Sequence, residues 1–169
     1  MSLRALLIAG LATVAVSGAA LAGDNNATVI QQGGVNLSKV SQNTYRGNNS
    51  ALVLQDGKFN ASNVTQRTYR GSNDALVAQT GARVNLSNVS QNTRFGDNTA
   101  AVAQVGSRLN ASNISQNTFR GDNSALAFQQ GSGRTINFSN ISQNTRFGNN
   151  DASVAQFAGK FNFSNIRQR

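Results

Sequence analysis

The eighteen residues "NSALVLQDGKFNASNVTQ" (Asn49–Gln66) decide how the chain folds. Polar and apolar residues alternate on both sides of a turn at Gly57, the two-residue period of an extended backbone with one buried face. Asn49, Ala51, Val53 and Gln55 share a face of the first strand; Asn60, Ser62, Val64 and Gln66 share a face of the second. Each face carries an amide at both ends beside its valine. A primary amide buried without a partner costs about 1–3 kcal/mol, so a fold that buries these faces must supply one.

Working outward, the same plan recurs in six copies, at about 25–48, 49–72, 73–97, 98–122, 123–149 and 150–169. Each first half reads N-x-A-x-[VA]-x-Q and each second half N-x-S-x-[VI]-x-Q. The alanines at 27, 51, 75, 100, 125 and 152 give spacings of 24, 24, 25, 25 and 27, yet the distance from Asn to Gln never changes. Length varies only in the connectors, where "DGKF" becomes "TGARV" and then "QGSGRTI". Fixed strands with insertions confined to glycine-bearing turns are the mark of a repeat architecture. Such repeats bury their faces by stacking. The expected fold is all-β, a parallel in-register β-solenoid of six strand–turn–strand layers with amyloid-like cross-β spacing of roughly 4.8 Å.

Stacking supplies each amide with its own copy as partner. Gln31, Gln55, Gln79, Gln104, Gln129 and Gln156 form one expected ladder, and Gln42, Gln66, Gln91, Gln116, Gln143 and Gln168 another. Asn36, Asn60, Asn85, Asn110, Asn137 and Asn162 form a third, since a side-chain amide both donates and accepts. Between them runs an apolar stack of Val29, Val53, Val77, Val102, Ala127 and Val154. It faces Val40, Val64, Val89, Ile114, Ile141 and Ile166. Leu52, Leu54, Leu76, Leu126 and Phe128 fall on the outward face of the first sheet.

Composition narrows function. The 169 residues include no Cys, His, Pro or Trp, which excludes thiolate and imidazole metal sites, disulfides and every triad needing those groups. Asp56, Asp74, Asp97, Asp122 and Asp151 are scattered singly, without a calcium array or a paired-carboxylate site. No enzyme activity, cofactor, metal or specific small-molecule ligand is expected. N-x-[ST] sequons such as Asn60-Ala61-Ser62 arise from the strand pattern itself.

Charge is sparse and lopsided, with 15 Lys and Arg against 6 Asp and Glu. It gathers in the turns. Tyr45-Arg46, Tyr69-Arg70, Arg94-Phe95, Phe119-Arg120 and Arg146-Phe147 mark one corner; Lys58, Arg83, Arg108, Arg134 and Lys160 mark the other. Stacked, they are expected to form two basic stripes that attract anionic polysaccharide or nucleic acid, or simply a solvated edge. Like charges one layer apart would repel, so salt or anionic partners should speed assembly.

At the start, Arg4 precedes the apolar run "ALLIAGLATVAV" (Ala5–Val16), and Ala20-Leu21-Ala22 fits a cleavage site that would leave Gly23 first. The run is shorter than the roughly 20 apolar residues a membrane span requires. Residues 1–22 therefore read as a secretory signal peptide outside the folded unit, and 23–169 as the exported repeat region. Neither end repeat departs from the pattern as a solenoid cap would, so both ends are expected to accept further layers, with Lys39 and Arg167 tuning which end grows.

These repeats, most closely "NSALVLQDGKFN" (Asn49–Asn60) and "NSALAFQQGSG" (Asn123–Gly133), resemble the curlin repeat of curli fibre subunits over Asn25–Gln168. The resemblance implies a secreted, self-assembling subunit of an extracellular functional amyloid that serves biofilm matrix and adhesion. It implies other curlin subunits and a curli-type secretion apparatus as partners, with passage through the periplasm in a diderm bacterium. A basic chain ending "NIRQR" is similar to the minor, nucleating curlin, whereas six regular repeats suit the bulk subunit. The alternative from another class is a monomeric β-solenoid that binds a surface, glycan or ice through outward Asn63, Asn88, Asn113, Ser90 and Ser115.

Overall fold

A computed structural model describes residues 2–7, 11–20, 23–81, 83–106, 108–157 and 159–169. Its elements in chain order are β1 (Ser2–Leu7), β2 (Leu11–Ala20), β3 (Asp24–Thr44), β4 (Asn48–Thr80) and β5 (Asn85–Val105), then β6 (Leu109–Arg120), β7 (Asn123–Gln130), β8 (Ile136–Thr145), β9 (Asn150–Gln156) and β10 (Phe161–Gln168). Every strand pairing is parallel, and the stacked coils form a β-solenoid of about six turns. Several strands run through a corner because ladder pairing continues around it, as from Gln31↔Gln55 through Gly33↔Gly57 to Asn36↔Asn60.

Identity of the repeats fixes the register. Val29 pairs with Val53, Val89 with Ile114, Ile114 with Ile141, and Gln129 with Gln156. A slip of one residue would turn every buried side chain to solvent. A slip of two would lay glutamine over valine and orphan an amide in every layer. The longest connector keeps register by looping outward: Thr135 is buried, and its hydroxyl donates to the Ser132 carbonyl at 3.1 Å. The left-handed turn there falls on Gly133, φ 54°, rather than on Gly131.

The core is one layer of side chains thick. Val29, Val40, Val53, Val64, Val77, Val89, Ile114 and Ile141 are fully buried. Burial of each side chain contributes about 1.5–3 kcal/mol, the largest favourable contribution available to so thin a body. Ile166, in the last layer, is half-buried and packs against this column.

The described parts of the segment read as a leader, β1 and β2, are extended and lie on the first edge of the stack. β1 and β2 pair with β3, Leu7 opposite Gln31 and Gly18 opposite Gln42. Backbone pairing needs no particular side chain, so the open N–H and C=O groups of β3 accept an extended apolar segment. That segment lacks the repeat's amides.

Glycine at the inter-repeat corner is demanded by both conformation and space. Gly96 has φ 118°, and a Cβ there would lie 1.9 Å from the carbonyl oxygen of Gly121 in the next layer. Gly148 has φ 98° but nothing within 4 Å of such an atom. Gly96→Ala should lower stability in guanidinium titration by more than about 2 kcal/mol. Gly148→Ala, bearing only the backbone strain, should cost about 1 kcal/mol. Equal losses would contradict the close approach of the corners.

Candidate functional site: amide ladders and their open edges

The side chains expected to pair meet within hydrogen-bond distance from layer to layer. Gln31 donates to Gln55 at 2.6 Å, Gln55 to Gln79 and Gln79 to Gln104 at 2.8 Å, and the ladder continues through Gln129 to Gln156. The second ladder runs from Gln42 through Gln66, Gln91, Gln116 and Gln143 to Gln168, at 2.8–2.9 Å. The remaining N–H of an interior glutamine reaches across the core to the opposite sheet, as from Gln55 to the Leu37 carbonyl at 3.1 Å and from Gln66 to the Ser50 carbonyl at 2.8 Å. Each interior glutamine therefore joins two layers and two sheets with one side chain.

The asparagine ladder has the opposite polarity. Asn60 donates back to Asn36 at 2.9 Å, Asn85 to Asn60 and Asn110 to Asn85 at 3.0 Å, Asn137 to Asn110 at 2.8 Å and Asn162 to Asn137 at 2.7 Å. The buried glutamines donate toward the last repeat, these buried asparagines toward the first. The two ends of the stack thus carry different hydrogen-bonding groups.

A third network was missed by the sequence reading. The asparagine that opens each first half and the threonine two residues after the second-half glutamine of the first five repeats form a continuous thread. Thr44 donates to Asn25 at 2.6 Å, Asn49 to Thr44 at 2.6 Å, Thr68 to Asn49 at 2.5 Å, and Asn73 to Thr68 at 2.7 Å. It continues through Thr93, Asn98, Thr118, Asn123 and Thr145 to Asn150. The signal was present as a Q-x-T that recurs in the first five repeats, which places Thr on the same face as Gln. A fourth, exposed ladder joins Asn63, Asn88, Asn113, Asn140 and Asn165 at 2.7–3.0 Å.

Not every buried polar atom is answered. The hydroxyls of Ser38, Ser62, Ser87, Ser112 and Ser139 are buried without a partner, as is Oε1 of Gln31. At 4.8 Å separation, roughly the layer spacing, one hydroxyl cannot reach the next. At the far edge, Gln156 and Gln168 donate one N–H each, to the Phe138 and Asp151 carbonyls at 2.7 and 2.8 Å. Their second N–H groups have no partner among the described residues. β10 pairs with β8 alone, so its other edge is unpaired among the described residues.

The outer faces are partly apolar. Leu76 and Leu126 are exposed while Leu52, Leu54 and Phe128 are half-buried. Leu37, Leu86 and Phe163 make a comparable strip on the second sheet. At the basic corner the structure corrects the picture of a continuous like-charge row. Tyr45, Tyr69, Arg94, Phe119 and Arg146 occupy one column, and Arg46, Arg70, Phe95, Arg120 and Phe147 the neighbouring one. Arg94 and Arg120 have an aromatic ring above and below them in their own columns, Arg146 has a ring on one side, and Arg46 and Arg70 lie one over the other with a tyrosine beside each. Arg94 lies 6.0 Å from the Phe95 centroid and 5.1 Å from that of Phe119. The aromatic rings themselves form a spine from Tyr45 to Phe147 with centroids 5.0–6.1 Å apart.

Comparison of the chain with protein-family profiles, with characterised proteins and with solved structures finds no match. Among the described residues no group of three or more acids, His or Cys could hold a metal ion.

The chemistry of the buried columns separates three substitutions that a burial argument alone would rank together. Gln79→Ala removes three hydrogen bonds and leaves both neighbouring rungs short, so it should destabilise by about 2–4 kcal/mol. Thr93→Val breaks the corner thread and should cost about 1–2 kcal/mol. Ser87→Ala removes an orphaned hydroxyl and should be neutral or mildly stabilising. Chemical denaturation of the three variants checks the order, and a Ser87→Ala loss as large as that of Gln79→Ala would contradict it.

Proposed function

We propose that the chain is an exported, non-catalytic structural subunit that polymerises by adding further copies to the ends of its own solenoid. The carrying observation is the chemistry of the terminal rungs. Gln31 presents a buried acceptor with no donor, and Gln156 and Gln168 present amide N–H groups with no acceptor. A second copy stacked in register supplies both, and it extends the apolar column from Ile166 to Val40. Few other partners carry glutamine, asparagine and valine at these spacings. The leader segment covers the first edge without answering its amides, because Leu7 stands opposite Gln31. Its removal after export is part of the proposal, since it would free that edge outside the cell.

The repeat pattern supports a curli-type fibre of the extracellular matrix, used in biofilm and adhesion, with partner subunits and a dedicated secretion apparatus. The bulk-subunit role is favoured over the nucleating one by the corner, where alternation of arginine with aromatic rings removes much of the like-charge repulsion that in-register stacking would create.

Purified residues 23–169, incubated at neutral pH, should form fibres with a reflection at roughly 4.7–4.8 Å. Fibre fragments at substoichiometric amounts should shorten the lag of fresh protein. Persistence as a monomer over days, with the same circular dichroism, would favour a monomeric solenoid binder instead. A chain that stays soluble alone yet triggers a different repeat protein would favour the nucleator.

A further inference from the structure

The aromatic–arginine corner does more than relieve repulsion: beside it lies a groove that runs along the stacking axis. One wall is the column Tyr45, Tyr69, Arg94, Phe119, Arg146. The other is the exposed column Asn43, Arg67, Asn92, Asn117, Asn144. Two stretches of it enclose about 540 and 480 Å³. Buried threonines, Thr68 and Thr93 in one stretch and Thr118 and Thr145 in the other, lie along its floor.

We propose that this groove binds an acidic polysaccharide, a linear chain of carboxylate-bearing sugars laid parallel to the stacking axis. Arg67, Arg94 and Arg146 are exposed, and none is held in an ion pair among the described residues. The contacts of Arg94 and Arg146 are with aromatic rings, which fix the guanidinium without neutralising it. Their donors remain available for the forked hydrogen bonds that carboxylates accept. Asn92 donates to Asn117 at 3.0 Å and Asn117 to Asn144 at 3.2 Å. Each of these amides keeps a second N–H for sugar hydroxyls. The corner's own carboxylates do not compete, because Asp97 and Asp122 accept backbone N–H bonds from Ser72 and Asp97, at 2.7 and 2.9 Å, and lie outside the groove lining.

Geometry separates this ligand from nucleic acid. Layers repeat at roughly 4.8 Å along the stack, a rise close to that of one sugar in an extended uronate chain. Single-stranded nucleic acid binds such surfaces by stacking bases on free aromatic faces. Here those faces are taken: Tyr45 stacks on Tyr69 at 5.0 Å, and arginines lie over Phe95 and Phe119. A duplex backbone winds around its axis and would meet a single row along the stack at few points. The groove is complete within one chain, so the proposal stands apart from polymerisation.

The test is anisotropy of a labelled polygalacturonate oligomer with the freshly desalted soluble chain, residues 23–169. The combined variant Arg67→Gln, Arg94→Gln, Arg146→Gln should weaken binding roughly tenfold. The charge-matched Lys58→Gln, Arg83→Gln, Arg108→Gln on the opposite corner should weaken it less than about threefold. All six side chains are exposed, and circular dichroism should be unchanged in both. Fully methyl-esterified oligomer should not bind. The proposal is overturned by equal losses from the two variants, by undiminished binding of the ester, or by poly(dT) that binds more tightly and displaces the acidic sugar.

Discussion

A side-chain amide inside a dry, thin core has to meet its own copy. Water is excluded there, and the backbone N–H and C=O groups are already committed to the ladder, apart from a few carbonyls that accept a second bond. Valine and isoleucine burial supplies most of the driving force, but that force has no direction and would tolerate many registers. The amides remove that tolerance, because each misplaced rung leaves a buried polar group unanswered at about 1–3 kcal/mol. Constant Asn-to-Gln spacing, confinement of insertions to connectors, and the glycine corner all follow from keeping every layer's amides over the last. Thr135 folding back on Ser132 in the longest connector shows the same priority: extra length is expelled so that Gln129 still meets Gln156.

Most of this was legible in the sequence because a solenoid translates sequence identity directly into spatial contact. Alternation gave the buried face, periodicity gave the neighbour, and Gln at a fixed place in every strand gave the ladder. What stayed hidden depended on geometry between columns. The opening asparagines were visible as amides on the buried face, but their partner was not: Thr68 and Asn49 face one another across a corner and share a bond. The order of aromatic and arginine changes from "YR" to "RF" between the second and third repeats. Only the register reveals that it sets Arg94 between Tyr69 and Phe119. The serines passed for ordinary strand positions, and nothing in their spacing says that hydroxyls one layer apart fall short of each other.

Opposed ladder polarity gives the assembly a sense of direction. Glutamines hand their N–H groups toward the last repeat and the buried asparagines toward the first, so in each of these columns one edge offers an acceptor where the other offers a donor. Charge sits outside this arrangement. Apart from Lys39, Arg67 and Arg167 on outward strand positions, the basic residues of the repeats lie at the corners, and the alternation with aromatic rings lets a chain with net charge +9 stack in register. Structural instruction is therefore carried inward by uncharged amides, while the cationic corners remain free to meet the surroundings.

Exchange of the side-chain amides with solvent reads their part in the stack most directly. In fibres carrying ¹⁵N-labelled glutamine side chains, the Nε2 protons of interior rungs such as Gln79, Gln91 and Gln104 should exchange with deuterium as slowly as the backbone amides of the valine column. Exposed Gln32 and Gln130 should exchange within seconds. Rapid exchange at the interior rungs, with the backbone still protected, would mean that the stack is held by valine and backbone alone and that the ladders do not set its register.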